Sequence, residues 1–451
     1  MLSNPFRRPP PPPVVSEAVT VRVNGAAALQ QIDGFGVNIN GMAWGEGTVI
    51  PALDALSDDL GATLFRVVVD ETDWEQQNDN DDPQQFNWDY YQQIYREPKF
   101  TSLWETLRYL EQKPGSQVIL NVMGRVPEWM GRTVITPEAE DEWVEMVTSL
   151  VVYGRNEQGL ALRLFSPLNE VDLGNPEGPK LDPQQYARLA RKVVDRLDSQ
   201  GIGDIRLIAP DTAYSDRVPE YLAPILSDAT LMQRVERVAF HNYGGAIDGI
   251  PQAIRASDYP TLRFWVTEYS RWCEGCLTDP AESEQWALGA DTADYLLYYL
   301  DRGASGALLY EGFDSYYHHH GRLEYWGILS YDERDGSFAP RHRYHTAAQI
   351  FRYVRPGMLR LAIENPEPDL KLQAFHDPVS GAFTLVGRNP VDHGVTLTVE
   401  LAALPTITAL QLTQTTETAP LVSAGAAIPV DGRVSIELAA DSVFALSTLD
   451  Q

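Results

Sequence analysis

The sequence predicts an α/β protein built as a (β/α)8 TIM barrel with an associated C-terminal β-sandwich domain. Three observations carry that expectation. From Gln31 to Arg355, apolar β-branched runs alternate with helical patterns. Eight such runs can be counted, the number this barrel needs. After Arg355-Pro356-Gly357 the helical periodicity stops and short alternating segments separated by turns take over, the texture of a sandwich.

The barrel strands are expected at 32–37, 64–69, 118–122, 162–165, 205–208, 238–240, 264–266 and 307–310. Most are continuous apolar runs rather than alternating ones, as parallel strands covered on both faces require. Amphipathic helices fill the gaps. The clearest begins at Asp182-Pro183, an N-cap followed by a first-turn proline. Tyr186, Leu189, Val193, Val194 and Leu197 then recur at helical spacing, and Gly201 ends it. Thr136-Pro137 opens another helix that runs through Tyr153.

The sandwich strands are expected at 370–376, 382–389, 395–401, 407–413, 433–439 and 443–446. The segment 19–23 has the same period-two alternation and is expected to join them. The resulting organisation is a proline-rich tail (1–18), a strand joining the sandwich (19–30), the barrel (31–355) and the sandwich (356–451). Prolines 9–13 form a stiff polyproline run. There is no tandem repeat.

Composition bounds the function. The 451 residues carry a formal charge of -28, with 63 acidic against 35 basic side chains. That field disfavours nucleic acid and anionic membranes. No run of about 18 apolar residues exists, so no membrane insertion is expected. The N-terminus has Arg7 and Arg8 but no apolar signal-peptide core. The two cysteines, Cys273 and Cys276, have no second pair to complete a zinc site. They read as a local loop staple or as free thiols. The acidic stretch Asp73-Trp-Glu-Gln-Gln-Asn-Asp-Asn-Asp-Asp82 is rich in oxygen ligands but lacks EF-hand spacing. It reads as a solvated loop, and no metal site is expected.

Two strands end abruptly on a glutamate: Glu170 in Arg163-Leu-Phe-Ser-Pro-Leu-Asn-Glu, and Glu268 in Phe264-Trp-Val-Thr-Glu. A carboxylate at the mouth of a buried strand is costly unless it has partners or a task. By strand count they fall on the fourth and seventh barrel strands, whose C-terminal ends share one face. Paired carboxylates are what glycosidic bond cleavage uses. The other strand ends deliver Asp33, Asn38 and Asn40; Arg66 and Asp70; Asp211; His241, Asn242 and Tyr243; and Tyr310, Glu311 and Asp314. Asp33 reads as a holder of the first turn, and His318–His320 as loop residues near the cleft rim.

Five motifs in order resemble the clan A glycoside hydrolases, most closely family 30: QIDGFG (31–36), PEWM (127–130), PLNEVD (167–172), TEYS (267–270) and FRYVRPGMLRL (351–361). The resemblance implies a retaining β-glycosidase acting on a carbohydrate, a neutral β-linked glycan or glycoconjugate, with no cofactor. Glu170 would be the acid/base and Glu268 the nucleophile. Arg66 and Tyr243 would orient the nucleophile, and Asn169 would bind the sugar 2-hydroxyl. Trp44, Trp129 and His241 would shape the sugar subsites. Tyr310 and Glu311, from the eighth strand, are placed at the substrate as well. The family implies secretion or a cell-surface position; with no signal peptide in this chain, a cytoplasmic position is the alternative. Two departures stand out: Val171 replaces the usual proline after Asn-Glu, and the eighth strand presents Tyr310-Glu-Gly-Phe in place of a tryptophan. A transglycosylase using the same residues and a non-catalytic carbohydrate-binding barrel are the rival readings.

Overall fold

The computed structural model describes residues 17–71 and 74–449; the proline run at 9–13 lies outside them. The chain enters through β1 (Glu17–Gln31) and then forms a closed barrel. Its staves are β2 (Gly34–Asn40), β3 (Leu64–Asp70), β4 (Gln117–Met123), β5 (Leu164–Ser166), β6 (Arg206–Thr212), β7 (Val235–His241), β8 (Phe264–Tyr269) and β9 (Gly306–Leu309). Each pairs in parallel with the next, and β2 pairs with β9 to close the ring.

The barrel interior is packed. Leu64, Ile119, Leu164, Ile208, Ala239, Trp265 and Leu308 fill it as one buried cluster. A side chain at Gly306 would put its Cβ 2.8 Å from the Trp265 ring, so glycine there makes room for the indole. Asp33 staples the N-terminal end of the barrel. It accepts from Arg237 (2.9 Å), Trp265 Nε1 (2.8 Å) and Ser305 Oγ (2.7 Å). It also pairs with Arg263 at 2.9 Å. Charge balance around Asp33 thus ties β7, β8 and the turn before β9 together.

Helices cover the outside. Pro183–Ser199 starts where its sequence signals put it: Asp182 caps Gln185 N at 2.9 Å, and Gly201 follows with φ +73°. The Thr136-Pro137 start opens a short 3-10 turn, Pro137–Ala139, that runs on into the helix Glu140–Asn156. Two small hairpins follow the barrel, β10 (Ser315–Tyr317) with β11 (Arg322–Glu324) and β12 (Leu329–Tyr331) with β13 (Phe338–Pro340).

The remaining strands are β14 (Leu359–Glu364), β15 (Lys371–His376), β16 (Phe383–Asn389), β17 (Val395–Ala402), β18 (Leu410–Thr416), β19 (Ala419–Ala427), β20 (Arg433–Leu438) and β21 (Ser442–Ser447). They join β1 in one nine-stranded sheet of order β19-β18-β21-β16-β15-β14-β1-β17-β20. β1 pairs in parallel with β17 and antiparallel with β14. The sheet folds over on itself: Gln414 of β18 bonds to the backbone at Glu437 and Ala439, at the far edge. Val21, Leu385, Leu397, Leu412, Ile436 and Phe444 share the core enclosed between the two layers. Two strands escaped the sequence reading. β14 alternates at Leu359, Leu361 and Ile363 but is only partly buried, and it follows Pro356-Gly357 directly; β19 is a mostly exposed edge rich in small residues with no apolar pattern.

The outer face of this sheet packs on the barrel. Ile350 and Phe351 of the helix His342–Phe351 share a core with Val386, Val443 and Ala445. Gln349 reaches Thr415 Oγ1 at 2.9 Å, and Trp286 Nε1 reaches Asp441 at 2.6 Å. Among the described residues no helix is long and apolar enough to cross a membrane.

Candidate active site

The C-terminal ends of the barrel strands surround a cavity of about 310 Å³. Its walls include Glu170, Glu177, Tyr243, Glu268, Tyr310 and Trp326. Beneath it, polar side chains from almost every strand form one network around Arg66.

Arg66, fully buried on β3, donates to four acceptors: Asn38 Oδ1 (2.8 Å), Glu268 Oε2 (3.0 Å), Asn169 Oδ1 (2.5 Å) and Asp211 Oδ2 (3.0 Å). The acceptors come from β2, β8, the loop after β5, and β6, so one planar guanidinium fixes the register of four strand ends. Tyr243 donates its hydroxyl to the other Glu268 oxygen at 2.6 Å. Glu268 therefore accepts from two donors, one on each oxygen, and one of them is the Arg66 cation.

Glu170 has a different environment. Among the described residues its side-chain hydrogen-bond partner is His241, with Nδ1 2.7 Å from Oε1. The same nitrogen lies 3.6 Å from Glu268, so the imidazole sits between the two carboxylates. One oxygen of each glutamate lies within 4.8 Å of the other. Burial raises the Glu170 carboxyl to about 7; His241 opposes that, while Glu177 and Glu268 add to it. Burial also works against charge on His241, but Glu268, Asp211 and Glu170 outweigh it and hold the imidazole up to about 10. Asp211, buried between Arg66, Ser166 Oγ (2.7 Å) and Thr267, stays well below the usual carboxylate range, because Arg66 overcomes the cost of burial.

Local backbone presents these groups. Glu170 and Asp211 both have positive φ, +45° and +62°, a region non-glycine residues rarely adopt. Their chains are locked together by Glu170 N donating to Asp211 O at 3.0 Å. The loop after β5 then folds back tightly: a Cβ on Gly178 would lie 1.9 Å from Asn169 O. That fold lets Asn169 Nδ2 donate to Glu177 O at 3.0 Å. With Oδ1 on Arg66, Asn169 keeps one amide hydrogen for a ligand.

The cavity wall opposite is ionic. His319 lies between Asp70 (2.5 Å) and Glu177 (3.2 Å), and His320 reaches Glu177 at 2.9 Å. Burial opposes charge on both imidazoles, but Glu177, with Asp70 for His319 and Glu324 for His320, raises them to about 9 and 10. Arg322 is engaged by Glu324 at 2.7 Å. An exposed Trp272 packs its ring 5.5 Å from Trp326 at the mouth. The Cys273–Cys276 pair is a disulfide; Cys276 packs with Tyr310, Tyr317 and Trp326 behind the wall.

Of the residues singled out in the sequence, Glu170, Glu268, Tyr243 and Tyr310 line the cavity, and Arg66, Asn169 and His241 lie in the network beneath. Four of the expected residues do not line the cavity. Trp44 packs against Tyr109 with ring centroids 6.0 Å apart. Trp129 is turned to donate to Glu75 O at 2.8 Å. Glu311 is fully buried, accepts from Tyr317 at 2.5 Å, and faces inward. His241 is fully buried and enclosed between the carboxylates of Glu170, Asp211 and Glu268. Glu177, Trp272, Arg322 and Glu324 were missed: the first two lie in loops, and the last two in the three-residue strand β11, too short for a periodicity to mark them.

The fold and this paired-carboxylate cavity define a class. Residues 112–301, which include both Glu170 and Glu268, match the family model described as the glycosyl hydrolase catalytic core. Solved structures narrow the fold to that of glycoside hydrolase family 30. A family 30 subfamily 8 xylanase from Clostridium acetobutylicum superposes with TM-score 0.72 at 18% identity, covering 95% of this chain and 99% of that one. A conserved exported protein from Bacteroides fragilis gives 0.72 at 15%, covering 95% and 100%. An endo-β-1,6-glucanase gives 0.69 at 16%, covering 97% and 94%. No curated protein matches the sequence. The chain thus shares the fold of these family 30 structures, and its central region matches the glycosyl hydrolase catalytic core.

Proposed function

We propose that this protein is a retaining β-glycoside hydrolase. The observation that carries the reading is the unequal pair: Glu268 bonded to Arg66 and Tyr243, and Glu170 raised to about 7 beside it. In a retaining enzyme the two carboxyls stand about 5–5.5 Å apart, and in an inverting one about 6.5–9.5 Å. Oxygens within 4.8 Å of each other favour retention.

In the first step a Glu268 oxygen bonds to the anomeric carbon. The glycosidic C–O bond breaks, and the Glu170 proton passes to the leaving oxygen. The product is a glycosyl ester on Glu268. Esterification removes the Glu268 charge, one of the charges that raises Glu170, so Glu170 becomes the stronger acid just after losing its proton. It then accepts a proton from water as the water oxygen bonds the anomeric carbon and Glu268 leaves.

A neutral glycan fits the wall, where Arg322 and His320 are already paired with Glu324 and Glu177. The β-linkage rests on the family 30 resemblance, and two structures sharing the fold are named a xylanase and an endo-β-1,6-glucanase. Export is supported by the Cys273–Cys276 disulfide, a bond that persists in oxidising compartments, and by the exported protein of the same fold.

Glu170→Gln and Glu268→Gln, assayed on a panel of activated aryl β-glycosides, test the reading. Both are expected to lose turnover, and azide is expected to restore it only where the acid/base is missing. Near-normal turnover in either variant overturns it.

A further inference from the structure

A second carboxylate cluster lies outside the cavity, where the loop after β3 meets the helix Glu140–Asn156. Glu75, Asp79 and Glu142 bring one oxygen each within 4.8 Å of one another. Glu145, one turn along the helix from Glu142, faces the same point: Asn80 Nδ2 lies 3.5 Å from Glu145 Oε1 and 3.4 Å from Asp79 Oδ1. Glu75 and Glu145 are 0% and 1% exposed, which corrects the expectation of a wholly solvated loop. Four oxygens, Glu75 Oε1, Asp79 Oδ2, Glu142 Oε2 and Glu145 Oε2, are buried with no hydrogen-bond partner.

Among the described residues no lysine, arginine or histidine forms an ion pair with any of the four. Arg196 comes nearest in effect, favouring the charged form of Glu145 against burial and its acidic neighbours, but it donates to Gln84 instead. Tyr91 donates to Glu75 Oε2 at 2.7 Å, and two asparagine amides graze the rest. Four buried carboxylates with this little support need either protons or a cation. A proton bridges two oxygens. A calcium ion, with ligands at about 2.3–2.6 Å, reaches oxygens up to about 5 Å apart and can touch all of them at once.

We propose that Glu75, Asp79, Glu142 and Glu145 hold a divalent cation of the calcium class, which pins the loop after β3 to the helix Glu140–Asn156. The donor set is all hard oxygen, which selects against zinc and copper. Irregular carboxylate spacing suits calcium better than the strict octahedron of magnesium. The pinned loop supports the active-site side of the barrel. Glu75 O is the acceptor of the Trp129 indole, and the same loop begins at Asp70, which holds His319 in the cavity wall.

Terbium, which replaces calcium, reports the site directly, because Trp74, Tyr91 and Trp143 stand beside it as sensitisers. The full chain is stripped with chelator, then titrated with Tb³⁺ and back-titrated with Ca²⁺. One equivalent of sensitised emission is expected, displaced by Ca²⁺, and millimolar Ca²⁺ should raise the Tm by several degrees. Glu75→Gln and the half-exposed Asp79→Asn are each expected to weaken Tb³⁺ binding at least about tenfold and to lower the Tm in Ca²⁺. Two results overturn the proposal. One is a wild-type chain that gives no sensitised emission, or emission unchanged in both variants. The other is a Tm raised by Glu75→Gln in Ca²⁺, as relief of an uncompensated carboxylate in an empty site would give.

Discussion

In the cavity, Glu170, Asp211 and Glu268 share two buried cations, Arg66 and His241; around Glu75, four carboxylates form no ion pair among the described residues. The cavity set is almost completely buried; in the outer set Glu75 and Glu145 are buried, while Asp79 and Glu142 are partly so. The difference lies in what each can do with its charge. The cavity set carries its own counter-charges, so its members stand in unequal environments. Glu268 accepts from Arg66 and Tyr243, while Glu170 faces His241 and is raised by burial to about 7. The outer set makes no ion pair among the described residues, with Arg196 acting on Glu145 only from a distance, and in the proposal it depends on an occupant. Balance from within makes a catalyst; imbalance makes a binding site.

The sharpest way to break this comparison is to remove a charge from the balanced side. Glu268→Gln removes the attacking group and is expected to lower kcat by at least about 10⁴-fold on aryl β-glycosides. Arg66→Met takes away the shared cation and leaves Asp211 and Glu268 buried without it. A loss of about 3–5 kcal/mol in denaturant melts is expected, together with collapse of turnover. Tyr243→Phe keeps the ring but deletes the hydroxyl bonded to Glu268. A charged hydrogen bond of this kind is worth about 1.5–3 kcal/mol, so kcat/KM is expected to fall about 10- to 150-fold with little change in Tm.

The pH profile sharpens the comparison further. Glu170 has its carboxyl raised to about 7 and must be protonated in the first step. Activity is therefore expected to hold below neutrality and to decline as pH rises through about 7. A profile with no alkaline limb up to pH 9 would contradict the assignment. The smallest effect is expected at the rim. Trp272→Ala removes an exposed ring that packs on Trp326; KM should rise a few-fold, about 1 kcal/mol, with kcat unchanged.

Much of this was legible in the sequence because burial leaves a pattern. The barrel strands read as apolar runs, and a run that stops on glutamate marks a strand end on the catalytic face. Arg66 was read at the end of the second strand, and its expected role rested on the family 30 resemblance. The aromatic residues were harder. Trp44 and Trp129 lie in loops whose course depends on packing, and neither lines the cavity. Glu177 and Trp272 gave no signal, since a loop residue's direction is set by distant partners such as His319. The acidic loop after β3 shows the limit most clearly. Composition marks it as acidic, but only the helix Glu140–Asn156, folded against it, turns Glu75 from a solvated charge into a buried one.

The central claim is that Glu268 forms the covalent bond to the sugar. The most direct test is to trap that bond with a panel of 2-deoxy-2-fluoro glycosides bearing activated leaving groups, then map the adduct by peptide mass spectrometry. A single glycosyl adduct on Glu268 is expected, and none in Glu268→Gln. An adduct on another residue, or steady turnover to a product of inverted configuration with no adduct, would contradict the account.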